Sequence, residues 1–391
     1  MAPPIVAVVG GGQLARMLAE AASPLGIHLR VLAATGDEGA REVVPDVVEG
    51  DPDDPAAIAA LADGVDVVTF DHENVDLEAL ESLEAAGVPV RPSVSTLRCS
   101  DKAHQRRTFA AAGLPVPPFA VLDGGAEDVA AARAFATTHA PDGERVVVKA
   151  SRGGYDGRGV WMLGGDELEE FVAGWTGAPL VLEPELPLIG EFAVLVARRP
   201  SGGLATWPVL RTIQVDGMCD EVALPSELAP ELERAAIDLA GRVAEVSGAV
   251  GVLAVELFLV GGDAAQPALL VNEIAPRVHN SGHLTSDACA TSQFEQHLRA
   301  VLDWPLGPTN AVVAAATMVN VVGGADDDPR DRQAVALGSV PEAHVHLYGK
   351  TPRAGRKIGH VTVTGDDVEV TGPPRRCWSM RSRRGCTTAG T

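Results

Sequence analysis

Residues 147–159 constrain the fold of this chain more than any other segment. They read VVKASRGGYDGRG, an apolar strand that ends in Lys149, followed by a loop with four glycines and two arginines. Glycine lets the backbone N–H groups of a loop approach a bound anion, and the cationic side chains add positive charge beside them. The segment therefore predicts a strand and a loop that surround a polyphosphate.

A second segment, residues 271–283, supplies complementary groups. It reads VNEIAPRVHNSGH, a strand that carries Glu273, followed by a turn of polar side chains. A carboxylate can bind the divalent cation that accompanies a phosphate group, and the polar turn can accept an anion. Together the two segments predict phosphate chemistry, which neither would establish alone.

Lysine is rare in this chain, because arginine provides most of its positive charge. There are 31 basic residues, yet the lysines are only Lys102, Lys149, Lys350 and Lys357. A compact ammonium on a flexible stem is not interchangeable with a guanidinium where the group must follow a phosphate. The four lysines are therefore candidates for ligand binding. The alternative is that they are what remains of a composition bias.

Charge and composition limit the partners of the protein. The 391 residues include 53 acidic and 31 basic side chains, a formal net charge of -22, so we expect neither nucleic acid nor an anionic membrane as a partner. The five cysteines show no metal-ligand spacing, and their odd number is expected of reduced cytosolic thiols. The first residues lack the basic flank of a signal peptide. The longest nearly apolar run, residues 311–322, is too short to span a bilayer. We expect a soluble, cytoplasmic protein.

The first third of the chain alternates apolar runs with segments of helical periodicity, which predicts an open parallel sheet with crossover helices. Strands are expected at residues 5–9, 29–32, 65–70 and 88–90. After the first strand, Gly10, Gly12 and Ala15 match the dinucleotide-binding fingerprint. The acidic residue expected after the second strand is missing, because Ala33 and Ala34 stand there, and NAD binding is thus disfavoured. The turn still suits another phosphate; the alternative is a tight turn without a ligand.

Two apolar runs within residues 252–274, separated by GGDAAQP, predict a hairpin that carries the candidate metal ligands. We expect Val260 to pair with Leu269. In that register Glu256 lies opposite Glu273, and both side chains point to the same face of the sheet. Two such carboxylates would repel each other unless a cation lay between them, which predicts Mg²⁺. The alternative is one buried and one exposed glutamate.

The order of these motifs resembles that of the ATP-grasp enzymes, and among them the 5-(carboxyamino)imidazole ribonucleotide synthase family. The similarity covers residues 5–370 and includes GQL at 12–14, TFDHE at 69–73, EPEL at 183–186 and GRKIGH at 355–360. It implies an α/β ATP-grasp fold with an N-terminal Rossmann-like (pre-ATP-grasp) domain and a small, β-rich C-terminal domain. The implied activity is ATP- and bicarbonate-dependent carboxylation of the amine of 5-aminoimidazole ribonucleotide in purine biosynthesis, by way of carboxyphosphate.

The resemblance also implies roles for individual residues. ATP would be bound by Arg98, Lys149, Gly154, Tyr155, Asp156, Gly157, Arg158, Gly159, Val160, Glu183, Pro184, Glu185, Leu186, Glu191, Gln214, Asn272 and Glu273. The residues around the reacting carboxylate would be Tyr155, Asp156, Arg158, Arg277, His279 and Asn280. The ribonucleotide would be bound by Gln13, Leu14, Glu73, Ser281, Lys350 and Arg356. Mg²⁺ would be carried by Glu256 and Glu273.

The same resemblance implies a homodimer and three domains. The N-terminal domain would span residues 1–100, the ATP-grasp domain 101–305 with a glycine-rich lid at about 151–160, and the C-terminal domain 306–371. Residues 372–391 depart from the family, with five arginines, two cysteines and no acidic residue. Without an apolar period this stretch predicts a disordered tail, and the alternative is an arm that binds nucleic acid.

Three alternative functions stay open at this point. Another ATP-grasp ligase, such as a formate-dependent glycinamide ribonucleotide transformylase or a biotin carboxylase, would differ in residues 275–283 and 355–360. A nicotinamide oxidoreductase would need the missing acidic residue after the second strand. A nucleotide-binding regulatory protein without turnover is disfavoured by the intact Lys149, Glu256 and Glu273.

Overall fold

The computed structural model of the chain describes residues 2–141, 144–154, 158–215, 217–261, 267–324 and 330–366. Its strands form three sheets, of four, four and nine strands, and helices pack around them, so the expected α/β fold is confirmed. Residues 155–157 of the predicted lid and the predicted tail at 372–391 lie outside the described residues. Among the helices in the described ranges, none combines the length and the apolar character needed to cross a membrane.

The N-terminal sheet is parallel, as the alternation of strands and helices predicts. Its strands are β1 (Ile5–Val9), β2 (His28–Ala33), β3 (Asp46–Glu49) and β4 (Val67–Phe70), in the order β3-β2-β1-β4. The helices around it are α1 (Gln13–Leu25), α2 (Pro55–Leu61), α3 (Leu77–Ala85) and α4 (Val94–Leu97). The strand predicted at 88–90 contributes only a bridge between Val68 and Val90. The sequence does not predict β3, because DVVE has neither a long apolar run nor strict alternation.

The second sheet holds both ends of the glycine-rich loop. Its antiparallel strands are β5 (Ala120–Leu122), β6 (Val146–Ala150), β7 (Val160–Leu163) and β8 (Leu180–Pro184), in the order β5-β8-β6-β7. The helices of this part are α5 (Lys102–Ala111), α6 (Asp128–His139) and α7 (Gly165–Gly174). Along β6 the side chains alternate, so Val146 and Val148 enter the core while Lys149 faces the other side. Lys149 pairs with Val160 of β7 at the base of the loop.

The largest sheet joins the central and C-terminal parts of the chain. Its strands are β9 (Leu188–Arg198), β10 (Leu204–Thr206), β11 (Leu210–Val215), β12 (Met218–Leu224), β13 (Gly251–Val260), β14 (Ala268–Ala275), β15 (Ala315–Val322), β16 (Ala343–Leu347) and β17 (Lys357–Gly365). Their order is β14-β13-β9-β11-β12-β15-β17-β16, with β10 paired to β9. The remaining helices are α8 (Pro230–Ser247), α9 (Thr285–Ala288), α10 (Gln293–Val301) and α11 (Arg330–Ser339). Because β12 pairs with β15, the C-terminal strands extend the sheet of the central part.

One hydrophobic core connects the N-terminal part with the large sheet. Leu18 of α1, Phe294 of α10 and Met318 of β15 belong to a single buried cluster. Beside it, the buried ring of His297 in α10 lies 2.7 Å from the hydroxyl of Thr69 in β4. Burial of this apolar surface holds the parts of the chain together and so shapes the space between them.

Candidate active site

A cleft of about 1900 Å³ lies between the three sheets. It is lined by predicted site residues from the N-terminal and central parts of the chain: Gln13, Leu14, Glu73, Arg98, Lys149, Gly154, Arg158, Val160, Glu183, Pro184, Glu185, Leu186, Glu191, Gln214, Glu256, Asn272, Glu273, Arg277, His279 and Asn280. The structure thus brings together residues that are far apart in the sequence, which no local pattern could ensure.

The other predicted site residues stand apart from this lining. Four of them, Gly159, Ser281, Lys350 and Arg356, lie within the part of the chain that the structure describes but do not line the cleft. Ser281 is buried behind the cleft surface, and Lys350 reaches the lining through a hydrogen bond from its Nζ to Oε1 of Gln13. The remaining three, Tyr155, Asp156 and Gly157, lie outside the described residues.

The predicted pair of glutamates is present. Glu256 of β13 lies opposite Glu273 of β14. The register nearer the turn differs from the prediction, because Val260 pairs with Ala268 and not with Leu269. A bulge next to Glu256 shifts the register by one residue and so restores the pairing of the two glutamates. The predicted Val260 register is therefore wrong, while the glutamate pair inferred from it is correct.

The charges around this pair are suited to a divalent cation. Burial raises the pKa of Glu256 to about 8, and the negative charge of Glu273 adds to the effect. Burial acts in the same direction on Glu273, but the ammonium of Lys102 forms an ion pair with this carboxylate and lowers its pKa to about 2. Without a bound cation, a proton on Glu256 is thus favoured, whereas Glu273 is ionised and paired with Lys102. Two adjacent carboxylates that share a cleft with a glycine-rich loop are donors that Mg²⁺ takes in proteins, so the residues present fit this ion.

The carboxylate of Glu183 lies inside a buried group of cations. Arg106 Nε is 2.6 Å from its Oε1, and Lys149 Nζ is 2.7 Å from its Oε2. Lys149 Nζ also donates to Oδ1 of Asn272 at 3.1 Å. Burial lowers the pKa of Lys149, and the negative charge of Glu183 opposes this effect. Glu183 therefore positions Lys149 at the cleft, a role that the resemblance, which implies an adenine hinge at 183–186, did not give it.

Helix α5 contributes functional candidates that the motifs did not identify. Lys102 lines the cleft, and its backbone N–H donates to the carbonyl oxygen of Ser151 at 2.9 Å. The preceding Asp101 accepts a hydrogen bond from Arg152 Nε at 2.6 Å, so the start of α5 is bound to the start of the glycine-rich loop. The scarcity of lysine is the one signal that pointed to Lys102. No signal in the sequence pointed to Arg106.

The turn after β14 presents Arg277, His279 and Asn280 to the cleft. Arg277 Nε lies 2.9 Å from the carboxylate of Glu73, so two predicted site residues from different domains form an ion pair. Nδ1 of His279 lies 2.9 Å from the hydroxyl oxygen of Ser281. Burial lowers the pKa of His279 to about 3, and the charge of Arg277 acts in the same direction. The turn thus offers a permanent cation beside a neutral imidazole.

The glycine turn after β1 is occupied by a carboxylate of the protein itself. The N–H of Gly12 donates to Oδ2 of Asp71 at 2.5 Å. A Cβ atom at Gly12 would lie 2.5 Å from the same oxygen, so the close approach requires glycine. This N–H is therefore already used within the protein and is not available to the phosphate expected at the turn.

Three of the predicted ribonucleotide residues, Gln13, Lys350 and Arg356, take part in contacts between the N-terminal and C-terminal parts of the chain. Lys350 contacts Gln13 at the start of α1. Arg356 Nη1 lies 2.6 Å from the carboxylate of Glu38, which also accepts hydrogen bonds of 2.7 Å from the N–H and the hydroxyl of Thr351. These hydrogen bonds from Thr351 lower the pKa of Glu38 to about 2, and Arg356 adds to the effect. Contacts between the N-terminal and C-terminal parts of the chain therefore fix the positions of Gln13, Lys350 and Arg356.

Three family models match consecutive parts of the chain. The ribonucleotide synthetase preATP-grasp domain matches residues 4–101, and the ATP-grasp domain matches residues 107–294. The phosphoribosylaminoimidazole carboxylase C-terminal domain matches residues 316–372. Their order is the one that the motifs imply.

Proteins named as synthases or synthetases of N5-carboxyaminoimidazole ribonucleotide are similar to this chain over nearly its whole length. The N5-carboxyaminoimidazole ribonucleotide synthase of Mycobacterium leprae (strain TN) is 47% identical over 386 residues, which cover 95% of this chain and 86% of that protein. The solved ADP complex of PurK, an N5-carboxyaminoimidazole ribonucleotide synthetase, has a TM-score of 0.84 and 33% identity, with 95% of each chain covered. The N5-carboxyaminoimidazole synthase of Aspergillus clavatus, solved with ADP and 5-aminoimidazole ribonucleotide, has a TM-score of 0.84 and 31% identity, with 94% of this chain and 95% of that chain covered. With a relative this similar over almost its full length, the chain belongs to the N5-carboxyaminoimidazole ribonucleotide synthase family.

Proposed function

We propose that this chain catalyses the ATP- and bicarbonate-dependent carboxylation of the amine of 5-aminoimidazole ribonucleotide, with release of ADP and phosphate. One observation carries the proposal. In a member of this family, a single cleft combines a carboxylate pair that fits a divalent cation, a buried lysine and a cationic turn. Transfer of a phosphoryl group depends mainly on positioning and on neutralising charge, and these are the groups that it needs.

The nucleotide end of the cleft is proposed to lie between the second sheet and the large sheet. Lys149 and Arg98 would neutralise the phosphates of ATP, and Arg98 is kept at the cleft by Glu81, 2.5 Å away. Glu256 and Glu273 would hold Mg²⁺, which when bound neutralises charge on the transferring phosphoryl group. The segment 183–186 and the residues Glu191 and Gln214 would contact the adenosine.

The proposed reaction has two steps. An oxygen of bicarbonate attacks the γ-phosphorus of ATP, which forms carboxyphosphate and releases ADP. The bond between the carboxyl carbon and the phosphate oxygen then breaks, the amine nitrogen of the ribonucleotide forms a bond to this carbon, and the amine loses a proton. Arg277, His279 and Asn280 would position bicarbonate, with Arg277 held by Glu73. Carboxyphosphate is labile in water, so the site must exclude water while it exists.

The ribonucleotide is proposed to bind beside Gln13, Lys350 and Arg356, with further contacts from Leu14, Glu73 and Ser281. The chain carries a net charge of -22, so a local group of cations is needed to hold an anionic substrate. Lys350 and Arg356 supply such a group, and Gln13 adds an amide that can bond to the substrate.

The test is the formation of ADP with and without bicarbonate and 5-aminoimidazole ribonucleotide, together with detection of the carboxylated ribonucleotide. We expect ADP formation to require both substrates and to equal the amount of product. Equal ADP formation with and without the ribonucleotide, and no carboxylated product, would contradict the proposal. Glycinamide ribonucleotide with formate serves as the control for another ATP-grasp ligase.

We also propose that the protein is a cytoplasmic homodimer with the domain limits given by the resemblance. The support is the resemblance to the family and, for the location, the composition of the chain. Light scattering of the purified protein tests the dimer, and a monomer at micromolar concentration would contradict it.

A further inference from the structure

A buried amide holds the backbone of the turn that carries the bicarbonate residues. Gln293, at the start of α10, is fully buried. Its Oε1 accepts the backbone N–H of His279 at 2.9 Å, and its Nε2 donates to the backbone carbonyl of His279 at 2.8 Å. Both polar backbone groups of His279 are thus bound to one side chain, so the turn has a fixed position in the cleft.

A second amide holds the side chain of Asn280, and this one comes from β15. Nδ2 of Asn280 donates to Oδ1 of Asn320 at 2.8 Å, and Nδ2 of Asn320 donates to Oδ1 of Asn280 at 2.9 Å. Nδ2 of Asn320 also donates to the carbonyl oxygen of Cys219 in β12 at 2.8 Å. A carbonyl oxygen only accepts hydrogen bonds, so Cys219 determines which end of the Asn320 amide carries the nitrogen. The orientation of the Asn280 amide follows from that of Asn320.

This orientation decides what Asn280 offers to a ligand. The side-chain amide nitrogen of Asn280 has two N–H donors, and the pair with Asn320 uses one of them. Asn280 lines the cleft, so the second donor suits an oxygen of an anion there. An inverted Asn280 would instead place its amide oxygen where it repels the anion.

We propose that Asn320 is a positioning residue for the carboxylation, supplied by the C-terminal part of the chain, and that it keeps an N–H donor of Asn280 available to bicarbonate. This inference rests on the proposed function. It assigns the C-terminal strands a direct part in the bicarbonate site, in addition to the contacts that Lys350 and Arg356 make with the N-terminal part.

The test compares two variants of the full-length chain. Asn320→Leu keeps the branched shape of the side chain and removes all three hydrogen bonds. Asn320→Thr suits a β-strand and keeps one hydroxyl, which has a single donor and cannot donate to both Cys219 and Asn280 as the amide does, so it decides the question if the leucine variant does not fold. For both we expect the KM for bicarbonate to rise about tenfold, the factor that corresponds to one lost hydrogen bond. We expect more than one ADP per carboxylated product, with little change in the KM values for ATP and the ribonucleotide.

Gln296→Leu is the matched control. Gln296 is a fully buried amide on α10, as Gln293 is, and it binds the backbone N–H and carbonyl of Gly307, each at 2.8 Å. Unlike Asn280, the residue that Asn320 holds, Gly307 does not line the cleft, and neither does Gln296. We expect this variant to lower the melting temperature without changing the KM for bicarbonate or the ratio of ADP to product.

Three outcomes are informative. A native KM for bicarbonate with one ADP per product in the Asn320 variants would overturn the positioning role. If the Asn320 variants changed only the melting temperature, as expected for Gln296→Leu, the positioning role would also be overturned, because Asn320 would then have a structural role only. A wild-type protein without bicarbonate-dependent ADP formation would overturn the proposed function, and the role of Asn320 with it.

Discussion

Glu183 and Arg106 form an ion pair of 2.6 Å in which each side chain is only 3% exposed. Lys149 binds the second oxygen of the same carboxylate at 2.7 Å. Removing these charges from water is costly, and their mutual attraction offsets that cost only while all of them are present. Lys149 is therefore held at the cleft by the protein, and its position does not depend on a bound phosphate.

Glu183→Gln should destabilise the protein strongly, because it leaves the charges of Arg106 and Lys149 buried without a counter-charge. We expect the free energy of unfolding, measured by urea denaturation, to fall by about 3–5 kcal/mol. Glu185→Gln is the control, since Glu185 pairs with the exposed side chain of Arg145 and should matter little. Equal effects of the two variants would show that the buried pair contributes no more than a surface pair.

Glu256→Gln and Glu273→Gln should each abolish most of the activity while the fold persists. The variants lose a ligand that stabilises charge at the transferring phosphoryl group, an effect of several kcal/mol, so we expect turnover to fall by orders of magnitude. Circular dichroism checks the fold, and Glu245→Gln at an exposed position of α8 is the control. Near-native turnover of either variant at ordinary Mg²⁺ concentrations would argue against this pair as the metal site.

Lys102→Met should strengthen metal binding, which distinguishes it from a variant that merely damages the site. The ammonium of Lys102 is paired with Glu273, so it competes with a divalent cation for the same carboxylate. We expect Mn²⁺ to bind about tenfold more tightly without nucleotide, as measured by electron paramagnetic resonance, because one competing charge is gone. Arg98→Met, which removes a cleft cation paired with Glu81, should leave Mn²⁺ binding unchanged. Weaker Mn²⁺ binding by Lys102→Met would contradict the competition.

The sequence predicts elements and pairings that depend on local pattern, and it does not predict partners that the fold brings from a distance. The hairpin pattern placed Glu256 opposite Glu273 from a register that is wrong by one residue near the turn, and the pairing holds because a bulge compensates for that residue. It could not reveal the bulge, which leaves Asn272 of the edge strand β14 out of the pairing, because an alternation of apolar residues does not show where a strand carries an extra residue. Arg106 and Glu183 are 77 residues apart, and no local period relates them. The residues of the cleft were predicted through the resemblance, because periodicity alone identifies strands but does not show which of their residues bind a ligand.

Lys350→Ala should impair binding of the ribonucleotide far more than binding of ATP. Lys350 contacts Gln13 at the start of α1, and it supplies charge that an anionic substrate needs. We expect the KM for the ribonucleotide to rise about tenfold or more, with little change in the KM for ATP. Arg353→Ala removes an exposed cation from the same stretch and serves as the control. An unchanged KM for the ribonucleotide would place its phosphate elsewhere.

A histidine of the C-terminal strands makes the stability of the fold dependent on pH. Nε2 of His346 in β16 lies 3.0 Å from Oδ2 of Asp287 in α9, and its ring stacks on the buried ring of His360 in β17, with 4.4 Å between the centroids. Burial alone would lower the pKa of His346, but the hydrogen bond with Asp287 and its negative charge raise it above the usual value. Charged His346 is thus favoured in the folded state.

His346→Gln should therefore reduce the free energy of unfolding more in acid than in base. A histidine whose pKa is raised on folding stabilises the protein below the pKa of the unfolded chain, about 6.5, and this contribution is lost as the pH rises through the folded pKa. Glutamine can still donate a hydrogen bond to Asp287 but carries no charge. We expect urea denaturation to show a larger loss of stability at about pH 5.5 than at about pH 8.5. His104→Gln, at an exposed position of α5, should show no such difference, and an equal loss at both pH values for His346→Gln would mean that its charge does not stabilise the fold.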